Sequence, residues 1–560
     1  MDGLMTHSTD EFVFAALGGL GEIGRNAALY GFGAPGKRKW LMVDCGLSFA
    51  GPDLPGIDLI FPDVSFVETI RRDLVGLVIT HAHEDHIGAI AALWPRIGCK
   101  VYATRFAASL LEARRLGEPG APKVEIVEMR QGARFKLGPF DIEPIAMAHS
   151  IPESCALVLR TAAGVAVHTG DWKMDPEPGI GLPTDEARLR EIGDEGVDVL
   201  ICDSTNIIRE GQSPSEGEVA RTLERLIAAA PARVVVTTFA SNLARVRAVA
   251  LAAQAAGRSV VVVGRSLDRV IEVGRECGYL DGIKPFLSQQ SYSDLPRDRV
   301  VVVATGSQGE PRAAMARIGA REHPAVKLAA GDRVIFSSRT IPGNERDVNR
   351  IINGLIDQKI EVITDRDALV HCSGHPRQGE VARLYELLRP KTLIPAHGEP
   401  LHLSEHAAFA RARGIGHVVS PRDGDVTLLA PGEPAVIDQI AHGRLVEDGG
   451  VLISADDEAI AQRARLAFSG VVSIALALTS KGDLAGDPDV VLSGVPQRGR
   501  DGAMLDAVVD EAIFSTLDGL SRPRRRDADA VANAIERAVR SALSQAWGKK
   551  PQVHVLVLEI

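Results

Sequence analysis

The chain has 560 residues, 45% hydrophobic and 24% charged, which gives material for several cores and excludes a disordered tail or a mini-protein. Lys and Arg number 63 against 73 Asp and Glu, a net charge of -10, so coating of nucleic acid by bulk positive charge is excluded and any polyanion must be met locally. Six cysteines (Cys45, Cys99, Cys155, Cys202, Cys277, Cys372) stand without a CxxC or paired spacing, which speaks against a disulfide framework or a thiolate zinc site and for a reducing cytoplasm. The start MDGLMTHSTDEF carries acids where a signal peptide needs a basic region, and no 18-residue apolar span occurs, so neither export nor a membrane segment is expected.

From Phe12 to Ile207, apolar runs (FVFAAL, KWLMVDCG, LVGLVIT, KVYAT, GVAVHTGD, VDVLICD) alternate with turn-rich connections, predicting a layered α/β or α+β domain. GLGEIG, from Gly19 to Gly24, fits GxGxxG and has Asp44 roughly 20 residues on. The following RNAALYGFG reads as a strand, whereas a dinucleotide site needs a helix there, so a tight turn is expected instead. From Gly211 to Arg366, helical patterns (EVARTLERLIAAA, NLARVRAVALAAQAAG) alternate with continuous apolar strands (RVVVTTF, SVVVVG, DRVVVVATG, DRVIFSS), as in a doubly wound parallel sheet. Strand-like EVITD, TLIPAHG and HVVSP then return, and histidines return with them. The simplest division is one domain from residues 1–207 and 368–435, an insertion at 208–367, a linker at 436–460 and a small α+β domain at 461–560. In that last part, Arg522 to Arg526 and Lys549–Lys550 are the clearest basic clusters, read as solvated ends with a phosphate or oligomer contact as the alternative.

The chemistry concentrates in LVITHAHEDHIGAIAAL, where a buried strand delivers His81, His83, Asp85 and His86 to the start of an amphipathic helix. Side chains alternate along extended backbone, so His81 and His83 point the same way. Imidazole and carboxylate suit zinc or a neighbouring divalent ion, and the ligands are too many for one tetrahedral site with an open position, so two metals are implied. His149 and Asp171 each close a further strand-like run, Asp171 being the natural bridging carboxylate, and Asp44 fits an acid that orients ligands by hydrogen bonds. His168, with His7, His323, His402, His406, His417, His442 and His554, reads as structural.

HAHEDH with the downstream His149 and Asp171 resembles the HxHxDH signature of the metallo-β-lactamase fold. That resemblance implies an αβ/βα sandwich in which His81, His83 and His149 hold one metal, Asp85 and His86 a second, and Asp171 bridges. The set DSTN, TFASN, ATGSQGEP, HxSGH and HGE further resembles the β-CASP nuclease subgroup, most of all the ribonuclease J family, over the whole chain. The implied fold class is α/β, a metallo-β-lactamase αβ/βα sandwich with an inserted doubly wound β-CASP domain and a small α+β C-terminal domain. By the same likeness His397 completes the second metal, Asp203 positions His375 as proton donor, and Asp85 counts among the catalytic groups. The loop His371, Cys372, Ser373, Gly374, His375, with Ser241 and Asn242, would bind a substrate phosphate. Cys372 occupies a variable position and Trp172 replaces the more usual Phe, and neither removes a ligand.

The expectation is thus a cytoplasmic hydrolase of RNA phosphodiesters using two divalent ions, Zn2+ foremost, with Mn2+ or Mg2+ as alternatives. Its substrate would be single-stranded RNA with a 5′ monophosphate, cut as 5′-to-3′ exonuclease and endonuclease in RNA decay, mRNA turnover and rRNA processing. A homodimer or homotetramer, joined through the C-terminal domain, is implied. The rivals are a β-CASP nuclease for DNA ends and a non-catalytic RNA-binding scaffold; a lactonase has no need of the insertion. Physically, a phosphodiester needs an activated water, a cation on its oxygens and an acid near its leaving group, which two metals and His375 would supply.

Overall fold

The computed structural model describes residues 10–117 and 120–560, so His7 lies outside the described residues. Two sheets face each other. The eight-stranded sheet runs, edge to edge, Ala435–Gln439, Asp425–Ala430, Glu11–Gly18, Ala27–Gly33, Lys39–Val43, Leu74–Val78, Val101–Ala103, Ile126–Glu128. The seven-stranded sheet runs His417–Val418, Thr392–Ala396, Val199–Asp203, Val165–His168, Cys155–Arg160, Phe140–Ala146, Phe135–Leu137.

The twofold period of a strand sets the layers. Leu157 and Leu159 point between the sheets, against a core of Phe12, Phe14, Tyr30 and Leu41. Ala156 and Val158 point the other way and pack with Leu189, Ile192, Leu384 and Leu388 of the helices Glu186–Glu195 and Gln378–Leu388. Strands covered on both faces explain the uninterrupted apolar runs of the sequence.

The insertion forms a five-stranded, all-parallel sheet in the order Ser259–Val263, Val300–Ala304, Val234–Thr237, Arg333–Phe336, Glu361–Ile363. One face buries Val235, Val302 and Val334 with Met315, Ile318 and Leu355. Because all strands are parallel, their carboxyl ends lie along one edge, the usual ligand side of such sheets.

A second unit comprises Phe49–Ile60 with Arg444–Ile560. Its three-stranded sheet has Val471–Leu478 between Asp489–Ser493, antiparallel, and Gln552–Glu559, parallel. The helices Leu505–Gly519 and Ala528–Ala546 place Val509, Ile513, Ile535 and Val539 on the sheet residues Val472, Ile474 and Leu476. The run 436–460 is not the expected linker. Arg444–Asp448 and Val451–Ser454 form a hairpin about Gly449–Gly450, and Ala435–Gln439 is an edge strand. Its side chains are largely exposed, so no apolar alternation advertised it, although Asp-Gly-Gly is a turn signal. Of the basic cluster, Arg525 is committed to the carbonyls of Asp518 and Leu520. No helix among the described residues is long and apolar enough to cross a membrane.

Candidate metal centre

The strands Lys39–Val43 and Leu74–Val78 run parallel and end together, which brings Asp44 beside Thr80 and the histidines after it. Asp44 sits in the left-handed region at φ 61°, a strain retained where the surroundings over-determine it. Its Oδ1 accepts the Thr80 backbone N–H at 2.8 Å, and its Oδ2 accepts both the Thr80 hydroxyl at 2.7 Å and His86 Nδ1 at 2.8 Å. Having given its proton to Asp44, the Thr80 hydroxyl can only accept from His81 Nδ1, 3.0 Å away. His149 Nδ1 donates to the Gly374 carbonyl at 2.7 Å. Asn26 donates its Nδ2 to the Asp85 carbonyl at 3.1 Å and accepts His397 Nδ1 on its Oδ1 at 2.9 Å. Each outer nitrogen therefore carries the proton, and His81, His86, His149 and His397 all turn a bare Nε2 inward.

Those inward atoms form groups whose members lie within 4.8 Å of one another: His81, His83, His149 and Asp171; then Asp85, His86, Asp171 and His397. Asp171 belongs to both. A third group, Asp203, His375 and His397, adjoins them. His83 Nδ1 lies 3.1 Å from His81 Nε2 and 3.0 Å from His149 Nε2, a convergence of lone pairs that calls for a cation. Asp171 Oδ1 and His397 Nε2 are buried without a hydrogen-bond partner. Burial holds His81 and His149 well below the usual imidazole pKa and brings His83 down to about 4, keeping them neutral and able to ligate. At His86 burial also opposes charge, but Asp171, Asp85 and Asp44 outweigh it and raise its pKa well above the usual value, a local excess of acid that a divalent ion would meet. The residues fit a divalent-metal site.

The loop after Val370 closes over this cluster. His375 Nδ1 lies 2.7 Å from Asp203 Oδ2, and its ring stacks on His397 with centroids 5.6 Å apart. Burial lowers the His375 pKa, but Asp203 and then Asp171 overcome that and raise it to about 9, favouring the protonated ring. Asn206 donates to the Ser373 hydroxyl at 2.7 Å and to the His375 carbonyl at 3.2 Å, and Ser213 donates to that carbonyl at 2.9 Å. Ser373 Oγ also accepts the His375 N–H at 3.2 Å, so its own proton remains available to a ligand. Beneath the loop, the fully buried Arg245 donates to the Val370 carbonyl at 2.9 Å, to Ser337 Oγ at 2.6 Å and to Glu216. Lys173 pairs with Asp175 at 2.7 Å and reaches Cys372 Sγ at 3.5 Å. Burial pushes the Cys372 thiol up to about 12, so it stays neutral beside Lys173 and Arg245, and burial lowers the His371 pKa to about 3.

The structure thus brings together His81, His83, Asp85, His86, His149, Asp171, Asp203, His375 and His397. Asn242 is spent differently: its Oδ1 caps the helix Leu243–Ala255 by accepting the Arg245 N–H at 2.9 Å, and Ser241 lies in the preceding turn. The GLGEIG run is a turn at Gly19, Gly21 and Gly24, all at φ near 100°, bridging to Gly398 beside His397, with no helix after it. His168 reaches Tyr30 at 2.9 Å, and His406 is satisfied by Ser204 and Tyr385, both at 2.8 Å. Sequence reasoning missed Asn26, Thr80 and Arg245. Each acts through another residue, and only the polar Asn between a glycine turn and an apolar strand was a visible signal.

Four family profiles match the chain. They are described as ribonuclease J, beta-CASP domain, over residues 231–355; ribonuclease J C-terminal domain over 458–560; beta-lactamase superfamily domain over 39–238; and Zn-dependent metallo-hydrolase RNA specificity domain over 359–421. Among curated proteins, the chain is 49% identical over 551 residues to the ribonuclease J of Sinorhizobium meliloti, covering 98% of each. It is 38% identical to that of Mycolicibacterium smegmatis, covering 97% of each, and 34% identical to that of Thermus thermophilus, covering 98% of this chain and 96% of the relative. A crystal structure of a protein of unknown function from Enterococcus faecalis V583 shares the fold at a TM-score of 0.51 and 16% identity, over 75% of this chain and all 100% of that one. Fold and site together define a metallo-β-lactamase-type hydrolase that carries an inserted β-CASP domain and binds divalent metal. The chain belongs to the ribonuclease J family, and with it to the metal-dependent RNA nucleases.

Proposed function

We propose that the enzyme hydrolyses single-stranded RNA at a two-metal centre, as 5′-to-3′ exonuclease and as endonuclease, in cytoplasmic RNA decay, mRNA turnover and rRNA processing. His81, His83, His149 and Asp171 would hold one divalent ion, and Asp85, His86, His397 and Asp171 the other. Zinc suits this His-rich donor set best, with Mn2+ or Mg2+ as alternatives. Bound there, the ions supply Lewis-acid polarisation of the phosphate and acidify a water.

The protein's own part begins with Asp203, which holds the His375 ring beside the cluster through Nδ1 and leaves the Nε2 proton free to be given. His375 then delivers that proton to the departing ribose oxygen, removing the cost of expelling an alkoxide. Ser373 offers its free hydroxyl proton, and with His371, Cys372 and Gly374 of the same loop holds a substrate phosphate, most simply the 5′ monophosphate. Ser241 and Asn242 would border it, Asn242 through its amide N–H2 because its oxygen is taken by the helix cap. The domain limits 1–207 with 368–435, 208–367 and 461–560 are part of this reading, as is assembly into a homodimer or homotetramer.

The observation that carries the proposal is the His375–Asp203 pair at 2.7 Å alongside two donor groups that share Asp171. The test is digestion of one end-labelled RNA bearing a 5′ monophosphate, triphosphate or hydroxyl, beside the matched DNA, with defined metals. RNA cleavage fastest on the monophosphate is expected. Equal rates on all three ends would remove the 5′ pocket, and preference for DNA would remove the substrate assignment. His375→Ala should cut the single-turnover rate on the order of 100-fold or more while RNA binding is kept; an unchanged rate would refute its role as acid.

A further inference from the structure

A cavity of about 460 Å³ opens in the inserted domain, and none of its lining residues belongs to the metal centre or its loop. It sits at the carboxyl ends of the strands Ser259–Val263 and Val300–Ala304, where Val263 pairs with Ala304. Three arginines line it, Arg265, Arg312 and Arg317, and Asp268 is its sole acid. All three guanidiniums are without a side-chain hydrogen bond or ion pair to any described residue. An exposed arginine fork that no other side chain engages is a ready bidentate donor for phosphate.

Two further features point the same way. The helix Arg265–Glu276 begins at the cavity, and its N-cap, Gly264, gives no side-chain cap, so its first N–H groups are open. His323 is buried and accepts the backbone N–H groups of Ala325 at 3.3 Å and Val326 at 3.0 Å on Nδ1, so its proton is on Nε2, a neutral donor at the cavity wall. Ser288, Gln289 and Thr305 complete a lining rich in donors.

The position matters as much as the charge. Ala304 also pairs with Thr237, and Thr237 with Phe336, on the same carboxyl edge. Directly after Phe336, Ser337 donates its hydroxyl to the Val370 carbonyl at 2.6 Å, one residue before His371. The cavity therefore opens on the edge that supports the phosphate loop, about 5 Å per strand away from it.

We propose that this cavity is a second phosphate-ester site, taking a backbone phosphate of the RNA beyond the cleavage position; a free nucleoside monophosphate is the other source of the same chemistry. This goes beyond the metal-centre reading and does not need it for binding. The test compares wild-type full-length enzyme with the triple variant Arg265→Ala, Arg312→Ala, Arg317→Ala, whose replaced side chains are exposed. Three measurements are made: KM and kcat on a 20-nucleotide RNA and on a 5′-phosphorylated dinucleotide, the salt dependence of RNA binding, and titration with inorganic phosphate and AMP. If the ligand is RNA, KM for the long substrate rises tenfold or more with kcat and dinucleotide cleavage unchanged, and the salt slope falls by about 0.7 per lost contact. If the ligand is a free nucleotide, RNA kinetics hold while saturable AMP and phosphate binding at this site is lost. Unchanged KM, salt slope and anion binding would overturn the proposal. A wild-type enzyme that binds RNA or AMP through these arginines but cleaves nothing would sink the catalytic reading and leave this one standing.

Discussion

The carbonyl of Gly374 accepts the Nδ1–H of His149 at 2.7 Å, joining positions 225 residues apart in the chain. One hydrogen bond thus fixes both the tautomer of an imidazole whose Nε2 faces the histidine cluster and the height of the loop that carries Ser373 and His375. A Cβ at residue 374 would stand 2.6 Å from His149 Cε1 and 2.9 Å from Ser150 Oγ, so the contact is available only to glycine. Gly374→Ala should therefore lower RNA hydrolysis on the order of 100-fold and also lower bound metal, with circular dichroism unchanged. Full metal content with full activity would show that loop and ligand are independent.

Asn26 ties the second donor group together, one amide touching the Asp85 carbonyl, His86 Nε2 at 3.0 Å and His397 Nδ1. Asn26→Ala frees His397 to flip and is expected to weaken metal affinity about 10- to 100-fold. Asn26→Asp keeps the acceptor for His397 but loses the donor to the Asp85 carbonyl, so it should fall between the two. Metal titrations of the three proteins check the order, and an alanine variant that binds as tightly as wild type would refute the orienting role.

Metal stoichiometry separates the two donor groups. His81→Ala removes one inward nitrogen from the first group and leaves the second intact, so elemental analysis should show the metal content falling toward half, with hydrolysis lost. Stripping the wild type with a chelator should lower its melting temperature, since an ion held at 1,000 times its Kd stabilises by about 4 kcal/mol. A melting curve indifferent to chelator would mean that the clustered histidines are not occupied by metal in solution.

The clustering of these side chains was legible because they lie at strand ends and in the turns and helix starts directly after them, and so leave short, type-specific motifs. HAHEDH, the His149 and Asp171 strand ends and the HxSGH loop are of that kind, and the parallel insertion followed from its unbroken valine runs. What was not legible works through contact between distant positions. Thr80 looks like any strand-end threonine until Asp44 takes its hydroxyl proton. Nor does the sequence show that the Asn242 side-chain oxygen caps its own helix, which leaves only the amide N–H2 to face a ligand. The hairpin at Gly449–Gly450 was hidden because exposed strands lack the alternation by which half-buried ones are recognised.

Arg245 is the least expected of these, a charge with no solvent access on a helix of the inserted domain. Its partners are Glu216, 3% exposed, and the Ser337 and Val370 oxygens that underlie the loop carrying Ser373 and His375. Removing one member of a buried pair leaves the other uncompensated, which costs about 3–5 kcal/mol, whereas replacing both by neutral groups of similar volume is far milder. Arg245→Met should accordingly destabilise the protein severely and lower its melting temperature, and the double variant Arg245→Met, Glu216→Gln should recover most of that loss. Hydrolysis should not recover with it, because the carbonyl of Val370 still lacks the guanidinium that sets the loop beside His375. Denaturation curves and single-turnover rates on the same preparations give both answers, and a double variant as active as wild type would reduce Arg245 to a purely structural ion pair.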